Sequence, residues 1–230
     1  MRRVKVAVVK KALRIAGYLL LTLVALAGVA IVVGPPKVPA AAIASRVRRD
    51  PELLAAAFAQ PAAARYGRAL DFQSNGSVCG PASLRNVFRS LGEPVGDEAA
   101  VLAGSGKCRL LGYCIPGLTL DELAAVAKLR TERSVSVLRD LTKDAFREHL
   151  RQSNDPAVRY VVNFTRKAIF GAGGGHHSPI GGYLPAQDLV LVLDVNRDFG
   201  AWLVEADRLY AAMDTLDRSS GKKRGLLRVR

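Results

Sequence analysis

The sequence predicts an α+β domain with its helices first and its strands afterwards, and three observations carry that expectation. Between Cys79 and Arg151 the apolar residues recur at helical spacing behind recognisable start signals. From Tyr160 onward they fall instead into short runs separated by Gly and Pro, the punctuation of strands. Half of the 230 residues are hydrophobic, enough for one packed domain plus a short extra segment. Helices followed by strands, without regular alternation, argue against a parallel doubly wound sheet. No repeat of about 20 to 50 residues is visible.

Near the start of the chain lies an uncharged run of nineteen residues, Ile15 to Val33, which as a helix spans roughly 28 Å, close to the hydrocarbon thickness of a bilayer. Six basic residues precede it (Arg2, Arg3, Lys5, Lys10, Lys11, Arg14) and no acid does. The expectation is a single transmembrane anchor over 15–33, with 1–14 as a basic cytoplasmic segment and the rest of the chain outside. A cleaved signal peptide is the alternative, since Pro39 to Ser45 offers small residues to a peptidase. Residues 34–65 read as a linker with one short helix, begun at Asp50-Pro51. The domain proper is expected over 66–230.

Within it, Leu84, Val87, Phe88 and Leu91 fall at i, i+3, i+4 and i+7, with Pro81 in the first turn and Gly92 beyond the last apolar position. Cys79 therefore lies at or just before a helix N-terminus. A second helix begins at Thr119, where Thr119 and Glu122 have capping-box spacing. A third covers Thr142 to Arg151. Strands are expected at Tyr160 to Phe164, Ile180 to Tyr183, Leu189 to Val195 and Gly225 to Val229.

The formal charge of +14 suggests an anionic partner, but its distribution removes a nucleic acid. Residues 1–33 and 218–230 each carry six basic and no acidic side chains, which leaves +2 for everything between. A nearly neutral body with one Trp has no basic groove interleaved with aromatics. Three cysteines make an odd number. Cys108 and Cys114, six apart, suit a small-loop disulfide in an oxidising compartment, which leaves Cys79 over.

A nucleophilic cysteine needs a lowered pKa, a base, something to orient the base, and donors for the developing oxyanion. Cys79 at a helix start has the first of these. His176 follows the glycine run Gly171 to Gly175 and enters a strand, and Asp194 closes the most apolar strand, where a carboxylate needs a partner. Gln73, six residues before Cys79, can offer its amide to an oxyanion. The bland alternatives are an Asp that forms a turn and a His that merely packs, the reading given to His149. His176 and His177 are neighbours on a strand and point to opposite faces, against their sharing a metal. The glycine run lacks the Lys-Ser/Thr and the helix of a phosphate loop.

Five stretches, in order, sharpen the picture: QSNGSVCGPASL at Gln73 to Leu84, VVNFTRKAI at Val161 to Ile169, GGHHSPIGGY at Gly174 to Tyr183, LVLDVNR at Leu191 to Arg197, and AMDTLDRSSGKKRG at Ala212 to Gly225. Together they resemble the catalytic domain of the phytochelatin synthase family over about Phe72 to Arg230. The resemblance implies a papain-like α+β fold, with a helical N-terminal half and an antiparallel sheet in the C-terminal half, acting on glutathione. It implies Cys79 as nucleophile, His176 as general base and Asp194 as its orienter, with Gln73 in the oxyanion hole. Arg166 and Arg224 match basic residues near the family's substrate, where an Arg suits carboxylates. His177 stands at a variable place of its motif and receives no role.

The implied chemistry is acyl transfer through a γ-glutamylcysteinyl thioester to a second glutathione, giving phytochelatin, or to water, giving γ-glutamylcysteine. No cofactor is required for it; cadmium or zinc enters as thiolate complexes of the substrate, and no protein metal site is assigned. Eukaryotic members carry a further Cys-rich C-terminal domain, whereas this sequence stops shortly after Arg224, so hydrolysis and short products are expected to outweigh long polymers. The segment after LDVNR is also short here, Asp198 to Ala201 before Trp202, which puts the acceptor site in question. The expected partners are glutathione, its metal thiolates and, through the N-terminal helix, a lipid bilayer; a homodimer stays open. Two other functions stay open as well: an exported papain-like peptidase acting on ordinary peptides, and a glutathione- or thiol-binding module without turnover.

Overall fold

The computed structural model describes residues 13–23, 37–108 and 112–230. It separates into two units, Met1–Pro36 and Lys37–Arg230. In the first, residues 13–23 are helical (α1) with their side chains exposed. The remainder of the apolar run Ile15 to Val33 lies outside the described residues. Among the described residues no helix is long and apolar enough to cross a membrane.

The second unit is built on a six-stranded antiparallel sheet. Its strands are β1 (Val135–Leu138), β2 (Arg159–Thr165), β3 (Gly175–Leu184), β4 (Leu189–Leu193), β5 (Ala201–Glu205) and β8 (Gly225–Val229), in spatial order β1-β8-β2-β3-β4-β5. A small ribbon of β6 (Leu216–Asp217) and β7 (Lys222–Lys223) leads into β8. Strands β2, β4 and β8 are almost wholly buried because both faces of the sheet are covered. One face carries Val161, Leu191, Leu193 and Leu227 against α3 (Pro51–Phe58), α4 (Pro61–Tyr66), α5 (Cys79–Ser90) and α7 (Leu120–Lys128). The other carries Val162, Phe164, Val192 and Trp202 against α2 (Ala40–Arg46), α8 (Lys143–Gln152), α9 (Arg166–Phe170) and α10 (Ala206–Met213). A short α6 (Glu98–Leu102) packs beside α5.

The helices expected from the sequence are present with the expected punctuation. Leu84, Val87 and Phe88 bury the inner face of α5, and Gly92 follows it at φ +74°. Thr119 and Glu122 close the capping box of α7, and the Thr142 side chain accepts from Ala145 N–H to cap α8.

Residues 37–65 depart from the expected linker. They form three helices that join the core: the small Ala57 and Ala63 belong to the α5 side, and Ile43 to the opposite side. Alanine and proline give no amphipathic stripe, yet a buried Ala lets backbones approach where a larger residue would not fit.

One glycine fixes the sheet near the site. A Cβ on Gly225 would stand 2.1 Å from the Leu138 carbonyl oxygen, so β8 can follow Arg224 and pair with β1 and β2 only with glycine there.

Candidate active site

Cys79 is the first residue of α5, and the loop before it is held in place by its own polar groups. Asn75 Oδ1 accepts from the Ser77 backbone N–H at 3.0 Å, and the Ser77 hydroxyl accepts from Cys114 N–H at 2.9 Å. The first-turn amides of a helix lack intrahelical acceptors and end its dipole on the positive side, so a thiolate here is favoured by up to about 2 kcal/mol. Ser83, one turn on, places its hydroxyl oxygen 2.7 Å from Cys79 O and 3.0 Å from His177 O, which ties the helix start to β3.

The two histidines open β3. Its register sets Phe164 opposite His176 and Asn163 opposite His177. By the alternation of a strand, His176 shares the face of Phe164, whose ring it meets edge-on at 5.7 Å. His177 shares the face of Asn163 and α5. His176 Nε2 lies 2.9 Å from Asp194 Oδ1 at the end of β4. Asp194 is fully buried and also accepts from the Asn196 backbone N–H and from Arg166 Nη2, at 2.7 and 2.8 Å to its two oxygens.

Charge is therefore concentrated around one buried thiol. Burial opposes the Cys79 thiolate, but His176 above all, and then His177, outweigh it and hold the thiol well below its ordinary value. For His176, burial and the Arg166 charge push down while Asp194 and Cys79 push up, and the upward influences prevail. Burial also works against the Asp194 carboxylate, but His176 and Arg166 keep it ionised below the usual carboxylate range. A lowered thiol beside a raised imidazole favours a thiolate–imidazolium pair.

The remaining expected residues are distributed differently. Arg224 lines a cleft of about 110 Å³ together with Cys79, Asn163, His177 and Asp217; it faces Asp217 at 3.6 Å, and its Nε has no partner. Arg166 is instead buried, spent on Asp194 and stacked over the Phe199 ring at 3.7 Å. It does not line that cleft, and its guanidinium contacts Asp194, the expected orienter of His176. Gln73 donates its side-chain amide to Asn75 O at 2.8 Å, and its Oε1 is buried without a partner. Cys108 and Cys114 are joined as a disulfide, with Cα atoms 4.2 Å apart, which leaves Cys79 as the free cysteine. Among the described residues no group of three or more His, Cys, Asp or Glu is arranged to hold a metal ion.

The sequence reading did not anticipate His177. Its Nδ1 lies 3.8 Å from Cys79 Sγ, and its Nε2 2.6 Å from Asn163 Nδ2.

With this geometry in place, similarity to known proteins becomes interpretable. Residues 34–226 match the model of the family described as phytochelatin synthase. The chain belongs to the phytochelatin synthase family. It is 30% identical to glutathione gamma-glutamylcysteinyltransferase 3 of Lotus japonicus over 171 residues, 67% of this chain and 34% of that protein. To glutathione gamma-glutamylcysteinyltransferase 2 of Arabidopsis thaliana it is also 30% identical, over 68% of this chain and 37% of that protein. The chain thus spans about a third of the length of these curated relatives. A solved peptidase structure from Bacillus anthracis aligns with TM-score 0.52 and 14% identity, covering 72% of this chain and 95% of that one. That likeness concerns fold alone, and it agrees with the α+β architecture and antiparallel sheet expected of a phytochelatin synthase family member.

Proposed function

We propose that this protein is a cysteine acyltransferase that removes glycine from glutathione and passes the γ-glutamylcysteinyl group to a second glutathione or to water. The observation that carries the reading is the buried Cys79 thiol at the start of α5 beside a His176 held by Asp194 at 2.9 Å. Membership of the phytochelatin synthase family supplies the substrate. In this reading the Cys79 thiolate attacks the carbonyl that joins the Cys and Gly of glutathione. The amide C–N bond breaks, the His176 imidazolium gives its proton to the departing glycine amine, and a thioester remains. His176, now neutral, takes a proton from the incoming amine or water as the thioester is cleaved. First-turn N–H groups of α5 serve the oxyanion, with Gln73 beside them. Arg224, which lines the cleft beside Cys79, is the side chain suited to a glutathione carboxylate. Cadmium or zinc arrives bound to substrate thiols.

Mass spectrometry of the full-length protein incubated with glutathione, with and without cadmium, tests this. Glycine release with γ-glutamylcysteine or its oligomers is expected, and Cys79→Ala lowers it to background, with circular dichroism to confirm the fold. The product ratio separates hydrolysis from transfer. Turnover of ordinary peptides without glycine from glutathione would move the protein to the peptidases, and glutathione binding without glycine release would make it a binding module.

The location belongs to the same proposal. Residues 15–33 anchor the protein as a single span, with 1–14 in the cytoplasm and the catalytic unit on the outer side, or free there if the segment is cleaved. The apolar run, the six preceding basic residues and a disulfide in the catalytic unit support this. Alkaline phosphatase fused after residue 60 is expected to be active; an inactive fusion beside an active cytoplasmic reporter overturns the outward orientation.

A further inference from the structure

The thiol of Cys79 is approached by two imidazoles, and only His176 is used by the mechanism above. The second has the same construction, a ring with one nitrogen on the sulfur and the other on a fixed partner: Cys79 Sγ, His177 Nδ1 at 3.8 Å, and Asn163 Nδ2 at 2.6 Å from Nε2. Both His177 and Asn163 are buried. They are neighbours across β2 and β3, and the Ser83 hydroxyl fixes the His177 backbone to the first turn of α5. Such placement exceeds what packing alone requires of a buried ring. Asn163 is oriented with Nδ2, an atom that can only donate, toward Nε2 and with its Oδ1 buried and unpartnered; in this orientation a neutral ring accepts at Nε2 and carries its proton on Nδ1, on the side of the sulfur. A donor aimed at sulfur favours the charged form of the thiol.

We infer that His177 is a second catalytic residue at the nucleophile: held in its Nδ1–H form by Asn163, it donates to Cys79 Sγ and stabilises the thiolate, both before attack and when the thioester releases it. This rests on the reading of Cys79 as nucleophile and deepens it. The two histidines divide the work. His176, backed by Asp194, moves the proton to and from the departing and entering groups; His177 keeps its proton and steadies the sulfur. The reaction gains no further reactant, and the proton balance stays with His176.

The test measures the rate of Cys79 alkylation by iodoacetamide against pH in the full-length protein, a readout that needs no glutathione. The other charged groups around the thiol are His176, Asp194 and Arg166 on one side and Arg224 with Asp217 across the cleft, and they are common to every variant. In the wild type the reactive form is expected well below the pH of an ordinary thiol. His177→Phe, similar in volume, is expected to move that midpoint up by about one unit. His177→Asn, which returns an N–H donor near the place of Nδ1, is expected to recover part of the shift. Asn163→Asp, which accepts from the ring and favours its doubly protonated form, should move the midpoint down. Nitrogen NMR of histidine-labelled wild type reads the tautomer without any substitution, so a variant that fails to fold does not end the test. A midpoint unmoved in folded His177→Phe, or a His177 with its proton on Nε2, overturns the inference and leaves the nucleophile reading intact. A wild-type Cys79 that titrates as an ordinary thiol overturns both.

Discussion

His176 and His177 are adjacent in the chain and are held by different chemistry. His176 rests on Asp194, a fully buried carboxylate that also takes both hydrogen bonds of Arg166. His177 rests on Asn163, a neutral amide. A buried anion favours the protonated ring, whereas a neutral amide fixes only the direction of the ring and the place of its proton. One pair therefore suits proton transfer and the other a fixed donor. Two imidazoles beside one sulfur are not redundant when their backing differs in charge.

The sharpest way to break this contrast is to give both histidines the same backing. Asp194→Asn makes the partner of His176 a neutral amide too, and it leaves Arg166 buried without its anion. Glycine release from glutathione is expected to fall by on the order of 10³-fold. With the protonated His176 no longer favoured, the pH above which activity is lost should drop. A variant that keeps its fold and loses less than tenfold would mean that the carboxylate is not what distinguishes His176.

How much of this was legible depends on what each element owes to distant partners. Helix α5 announces itself locally: Pro81, the spacing of Leu84, Val87 and Phe88, and the closing Gly92 are all in one window. So do the capping box of α7 and the run Leu189 to Leu193. Strand β1 does not, because its four residues are all half-buried at the sheet edge and show no alternation. β5 passes into α10 at Glu205 and Ala206 with no turn residue to mark the change. Helices α3 and α4 pack largely by small alanines, which look the same in a linker. Within the site, Cys79, His176 and Asp194 were visible as residue types in suggestive places. The pairing of Asn163 with His177 depends on the register of β2 against β3, which no local pattern prints. The same is true of Arg166, whose occupation with Asp194 follows from the turn into α9 and not from its charge.

A smaller effect tests the contrast from the other side of Asp194. Arg166 pushes His176 down while Asp194 holds it up, so Arg166→Met should raise the pH at which the imidazolium is lost. Activity that depends on this proton rises as Cys79 ionises, at a pH below that of an ordinary thiol, and falls as His176 deprotonates, at a pH above that of an ordinary histidine. Only the second, alkaline limb is expected to move in the variant, and it moves upward. At neutral pH kcat/KM should drop by less than about tenfold, since Asp194 still orients the ring through its own hydrogen bond. Loss of the buried pair and of the contact over Phe199 should cost about 3 kcal/mol, or roughly 6 to 12 °C in Tm. The alternative expectation, that Arg166 binds a substrate carboxylate, has the opposite signature. It requires KM to rise steeply while the alkaline limb stays where it was, and that pair of results would move Arg166 from the back of the catalytic pair to the substrate.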